Sequence, residues 1–188
     1  MIGHHEPTAQ GFDTINSNEI EGAKAATQVL IDRGYRDIGM LSLGPVESHK
    51  PDGAPQREKG FRAAMMAAGL AGRIFRFDTL DAARMGKIAD FLASADRPRA
   101  LFVWSDLDGI PVLNAARQMG LRVPEDLALI AYDNSPVAAL PLIDLASMDQ
   151  HGHRLGALAT ETLLSRVGGR RIPHHLQLDP MVVLRSSL

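Results

Sequence analysis

Along the chain, short apolar runs rich in β-forming residues alternate with stretches whose apolar residues recur three and four positions apart. EIEGAKAATQVLIDRG (19–34) places Ile20, Ala23, Ala26, Val29 and Leu30 on one helical face and stops at Gly34. DIGMLSLG (37–44) predicts a buried strand, and Pro55 marks the start of a helix carried by QREKGFRAAMMAAG (56–69). RIFRFD (73–78), RALFVWSD (99–106) and DLALIAYD (126–133) read as strands, separated by the helices DAARMGKIADFLASA (81–95) and LDGIPVLNAARQMG (107–120). Strands joined in this way by helices lie parallel with right-handed crossovers, so the pattern predicts an α/β fold with a doubly wound parallel sheet. The remainder has a different character: DLASMDQ (144–150), a helix over 151–169, and a strand-like stretch over 174–187.

Composition narrows the class. With 188 residues and 45% hydrophobic content, the chain can bury a full core. Its net charge is −2 and its 20 Lys and Arg are scattered, so no basic stripe follows a phosphate backbone. There is no cysteine, which excludes disulfides and thiol chemistry. The start, MIGHHEPTAQ, has neither the charged nor the apolar region of a secretion signal, and no apolar run approaches the roughly 20 residues needed to cross a bilayer. A cytoplasmic protein without a membrane partner is expected.

Open parallel sheets bind ligands beyond the carboxyl ends of their strands. There the sequence places Arg57 after the first strand's loop, Asp78, Thr79 and Leu80 after the second, Trp104, Ser105 and Asp106 after the third, and Tyr132, Asp133 and Asn134 after the fourth. An arginine, several acids and an aromatic suit a neutral polyhydroxylated ligand or a small zwitterion. Each residue also has a plainer role. Ser105 and Asp106 stand where a helix needs its free N–H groups capped. Asp133 opens the turn-forming DNSP, Arg57 could pair with Glu58 or Asp52, and Trp104 could be core. Other chemistry is not supported: the seven histidines show no zinc-site spacing, and no G-x-G-x-x-G, P-loop or G-x-S-x-G pattern occurs. No cofactor and no metal are expected, and nothing argues for an enzyme.

GYRDIGMLSLG, QREKGFRAAMMAAGL, LFVWSDLDGIPVLNAARQMGLRVPEDLALIAYDNSPVAAL, LASMDQHGHRLGALATETLLSRVGG and PMVVLRSSL, in that order, resemble the effector-binding domain of the lactose-repressor (LacI/GalR) family of bacterial transcription regulators. GLRVPEDLALIAYDN (120–134) is the most specific part. The resemblance implies a periplasmic-binding-protein-like fold of type I, here with one complete lobe (36–148 and 179–188) and a partial second lobe (1–35 and 149–178). By the same resemblance, the helix-turn-helix headpiece common in the family is expected to be absent from this chain. It implies further that Arg57 and Asp133 contact effector, that Ser105, beside Asp106, stands at another ligand position, and that Gln150 is a hinge-crossing glutamine lining the cleft. Leu80 falls near the position of a stacking aromatic, a role that Phe77 or Trp104 would then take over. Ser17 and Asn18 match a pair usually read Asp-Asn, and Pro111 replaces a small residue and should distort the first turn of its helix. The implied function is allosteric. A sugar or sugar derivative in the interlobe cleft changes how a homodimer presents its headpieces to operator DNA. The alternatives are a transport-type periplasmic sugar-binding protein and, more remotely, an enzyme on a doubly wound scaffold.

Overall fold

The structure, a computed structural model, describes residues 11–43, 53–77 and 84–188. It has two sheets. The larger contains β2 (Ile38–Leu43), β3 (Arg73–Phe77), β4 (Ala100–Val103), β5 (Ala128–Tyr132), β6 (Ala146–Asp149) and β8 (Met181–Val183), in the order β3-β2-β4-β5-β6-β8. The first five are parallel, and β8 runs antiparallel to β6. The smaller sheet pairs β1 (Thr14–Ser17) in parallel with β7 (His175–Leu178).

Strands β4 and β5 are buried along their whole length, as expected for central strands covered on both faces. Their side chains alternate between two cores. On one side Met40, Phe102, Ile130 and Tyr132 pack with Ala23, Ala26 and Leu30 of α1 (Glu19–Asp32) and Phe61 and Met65 of α2 (Gly53–Ala67). On the other, Leu41, Leu101, Val103, Leu129 and Ala131 pack with Ile88 and Leu92 of α3 (Arg84–Ala93) and Val112, Leu113 and Ala116 of α4 (Asp106–Gln118). Neighbouring residues such as Leu101 and Phe102 thus belong to opposite layers, which is the strand period of two. The last helix, α5 (Gly152–Val167), lies with the small sheet against β1.

Three differences from the sequence reading have physical causes. Helix α1, placed with the partial lobe by a boundary at residue 35, contributes its apolar stripe to the large sheet's core, so the division between the sheets falls between β1 and α1. The stretch 174–187 is two strands in two sheets, split at Asp179-Pro180, where proline has no N–H to continue a ladder. Pro111 lies in the second turn of α4 because that helix starts at Asp106, and the helix runs through it to Gln118.

The chain crosses between the sheets three times: from β1 to α1, from β6 to α5, and from β7 to β8. Asn18 fastens the first crossing to the third. It caps α1 through Oδ1, its Nδ2 donates to Asp179 Oδ1 at 2.8 Å, and its backbone N–H donates to the Leu178 carbonyl at 2.8 Å. In the small unit, Asp13 accepts from both terminal nitrogens of Arg170 at 2.8 and 2.9 Å and from the His174 N–H at 2.6 Å, and this arginine partner holds its carboxyl well below the usual range. Near the C-terminus, Ser187 is buried between two strands: its hydroxyl donates to the Leu129 carbonyl and accepts from the Ala146 N–H, each at 2.8 Å.

Helices α1 and α2 approach closely at Gly60, where an added Cβ would lie 2.3 Å from the Ile20 carbonyl oxygen and 2.8 Å from Ala23 Cβ. Gly60→Ala should therefore force the helices apart and cost about 1–3 kcal/mol of stability by urea denaturation. Gly86→Ala, at a position in α3 with open space around it, should be neutral or stabilising by up to ~1 kcal/mol, since alanine favours the helix.

Candidate functional site

Strand β2 has β3 on one side and β4 on the other, so the chain's winding reverses between β2 and β4. A crevice at the carboxyl ends of strands is the usual ligand position of such a sheet. Arg57 is set beside it by α2, with 2% of its surface exposed. Its Nε donates to Glu19 Oε2, its Nη1 donates to the Trp104 carbonyl, and its Nη2 lies 3.5 Å from Asp133 Oδ1. The guanidinium carbon is 3.7 Å from the centroid of the Tyr132 ring and 5.1 Å from that of Trp104, so one cation is flanked by two rings.

Asp133 follows directly on β5. Its φ of 109° and that of Asn134, 48°, turn the chain sharply after the strand. The turn presents the Asp133 carboxylate to the crevice, 36% exposed, where Oδ1 accepts from Gln150 Nε2 at 2.7 Å. Burial pushes the Asp133 carboxyl up to about 6, an effect that the nearby Arg57 opposes and that Asp106 and Glu19 reinforce. Gln150 comes from the β6 to α5 crossing, beside His151 with its left-handed φ of 57°.

Arg57, Asp133, Gln150 and Trp104 therefore meet. Trp104 is half-buried, and its indole N–H donates to Asp108 Oδ2. Ser105 and Asp106 are used inside the fold. Ser105 caps α4: its hydroxyl donates to Asp108 Oδ2 at 2.5 Å and accepts from the Asp108 N–H at 3.2 Å. Asp106 is fully buried, with one oxygen accepting from the Ser147 hydroxyl and the other from the Ser135 N–H, both at 2.6 Å. Burial raises its carboxyl too. Asn134 accepts from Arg185 through Oδ1 at 2.6 Å, and Ser17 is buried at the first crossing. Leu80, Asp78 and Thr79, like the side chain of Phe77, lie outside the described residues.

Glu19 and Asp108 belong to this cluster and are missed by the sequence reading. A signal for Glu19 existed: it continues the buried stripe of Ala23, Ala26 and Leu30 one turn toward the N-terminus, so it is an acid on an apolar face. Among the described residues, no group of three or more His, Cys, Asp or Glu is arranged to hold a metal ion. None of the described helices is long and apolar enough to cross a membrane.

The parallel sheet, its crossings to a second sheet and the polar cluster at its strand ends define a periplasmic-binding-protein-like domain, and the family of that description matches residues 27–188. The HTH-type transcriptional repressor PurR of Edwardsiella ictaluri is 34% identical over 180 residues, covering 94% of this chain and 52% of that protein. PurR of Photobacterium profundum is 32% identical over 186 residues, covering 97% and 54%. The chain thus spans about half the length of the curated relatives it matches. A solved LacI-family transcriptional regulatory protein from Corynebacterium glutamicum is similar with a TM-score of 0.84 and 30% identity, over 100% of this chain and 71% of that one. A complex of the transcriptional regulator CelR with cellobiose gives 0.83 and 28%, over 99% and 57%. The chain belongs to the LacI family of transcriptional regulators.

The raised carboxyl of Asp133 has a consequence for stability. Because the folded state holds this proton more tightly than the unfolded state does, ionising Asp133 opposes folding. The penalty grows as pH rises from the ordinary carboxylate range through about 6 and is fully present above it. Asp133→Asn should accordingly unfold at a higher urea midpoint than the wild type near about pH 7.5, and the advantage should vanish near about pH 4, where Asp133 is protonated.

Proposed function

We propose that this chain is the effector-binding portion of a transcription regulator that holds a sugar or sugar derivative in the crevice at Arg57. The observation that carries this reading is the meeting of Asp133, Gln150, Trp104 and Arg57 beyond the carboxyl ends of β4, β5 and β6, beside two of the three crossings. The partly exposed Asp133 carboxylate accepts hydrogen bonds from ligand hydroxyls, Gln150 donates or accepts beside it, and the half-buried indole of Trp104 offers an apolar face. The cellobiose complex of CelR supports a carbohydrate ligand. The similarity to the HTH-type repressor PurR supports DNA as the regulated partner, recognised by a headpiece outside these 188 residues.

The mechanism is a population shift. Gln150 sits in one crossing, and Glu19, which holds Arg57, directly follows Asn18 in another. A ligand that engages Asp133 and Gln150 beside Arg57 while touching the second lobe favours one relative arrangement of the lobes, and with it one presentation of the headpieces. The protein works as a cytoplasmic homodimer. Support for dimerisation comes from the segment that follows β5. It lies along α4 through the Ser135 to Asp106 and Arg117 to Leu142 hydrogen bonds, and it exposes Val137, Leu140 and Leu142.

Neutral mono- and disaccharides screened for thermal stabilisation should yield a ligand that changes the operator affinity of the complete regulator by about 5- to 150-fold. Asp133→Asn or Gln150→Ala should weaken that ligand's binding about 5- to 30-fold in calorimetry, as expected for a lost hydrogen bond of about 1–2 kcal/mol. Unchanged affinity in both variants overturns the assignment of the crevice.

Leu142→Glu should convert the dimer to monomer in sedimentation velocity, with the unfolding midpoint of the monomer little changed, since Leu142 is 86% exposed in the single chain.

A further inference from the structure

An arginine at a ligand crevice ordinarily serves an anion: its planar fork fits a carboxylate or phosphate through paired hydrogen bonds. Here most of the fork is already engaged. Nε is held by Glu19, which is itself buried at 6% exposure, Nη1 is held by the Trp104 carbonyl, and Nη2 faces Asp133. The faces of the guanidinium are covered by Tyr132 and Trp104. With only 2% of its surface exposed and Nε and Nη1 hydrogen-bonded, Arg57 offers a ligand no more than its Nη2 side, which faces Asp133.

The balance of charge around it is negative. Among the described residues, Glu19, Asp106, Asp108 and Asp133 approach this end of the sheet, against Arg57 and the more distant Arg185, which reaches Asn134, while Arg76 is paired with Glu58. Asp106 and Asp108 are committed to the helix start and to neighbouring donors. Glu19 is the acid that binds the cation directly, and it does so from the first residue of α1, a position set by the Asn18 cap and by the close contact of α1 and α2 at Gly60.

We propose that Glu19 is a specificity-determining residue of the crevice: by neutralising Arg57 it withholds that cation from anionic ligands, so that the site accepts a neutral polyol and rejects its phosphorylated or carboxylate counterpart. The proposal rests on the sugar-binding reading above and narrows its ligand class. The neutral ligand's hydroxyls donate to Asp133, whereas an anion meets that carboxylate before a guanidinium whose charge Glu19 already balances.

The test compares the complete regulator with its Glu19→Gln and Glu19→Asp variants. Calorimetry is run with glucose, galactose, ribose and cellobiose, and with glucose phosphate, ribose phosphate and gluconate. In the wild type, a neutral member should bind at least about tenfold more tightly than its anionic counterpart. Glu19→Gln, nearly the same size without the charge, should narrow that ratio by about tenfold, and Glu19→Asp should keep it. A ratio is read because loss of mere packing would weaken both ligands alike; equal weakening in Glu19→Gln therefore overturns the selector role. Anionic ligands bound by the wild type as tightly as neutral ones overturn it as well, and that measurement stands even if Glu19→Gln fails to fold. Binding by no neutral member overturns the sugar reading and the selector role together, an outcome distinct from neutral binding with an unaltered ratio.

Discussion

A buried cation organises this end of the molecule. Arg57 comes from α2, its partner Glu19 from α1, its ring neighbours from the ends of β4 and β5, and Asp133 from the turn beyond β5. Removing two charges from water is costly, and their attraction compensates only when the geometry is tight and the remaining hydrogen-bonding groups are satisfied. That requirement reaches into residues with no charge. Gly60 lets α1 and α2 approach closely, and Gly22 leaves room for the Tyr132 hydroxyl, which would lie 2.1 Å from a Cβ at that position. The ring so accommodated covers the face of the guanidinium.

Two carboxylates that follow successive strands of the same sheet illustrate how environment divides roles. Asp106 and Asp133 both stand just beyond a central strand, and burial raises both. Asp106 is enclosed, with each oxygen taken by a protein donor, and joins the start of α4 to the turn at Ser135 and to β6. Asp133 shares its oxygen with Gln150 and Arg57 and keeps about a third of its surface open. An enclosed carboxylate with satisfied oxygens serves the framework; a partly open one can exchange a protein donor for a ligand's.

The order of strands and helices was legible because the central strands are continuous apolar runs with helical periodicities between them, as double coverage of a parallel sheet requires. What α1 packs against was not legible, since a helix's apolar stripe records that a face is covered and not by which sheet. The division of 174–187 was obscured by apolar residues on both sides of Asp179-Pro180. In the candidate site, Arg57 and Asp133, which the structure brings together, were named from their positions after strands and from the family pattern. Ser105 and Asp106 had the same positional signal and turned inward, because the start of α4 also needs acceptors. Glu19 was overlooked since an acid in a first helical turn already has a sufficient reason to be there, the helix dipole.

The fastening of β5 to β6 by Ser187 has a consequence for synthesis on the ribosome. The middle of the large sheet depends on hydrogen bonds from a residue that is translated 58 positions after Leu129, and β8 joins the sheet only after the chain has returned from pairing β7 with β1. The nascent chain therefore carries an unclosed β6 edge while residues 150–180 emerge, and the apolar strands of the sheet's centre are made long before their last polar clamp. Contacts so distant in sequence slow the final closure and leave a window in which an open strand edge is available to a chaperone or to another nascent chain.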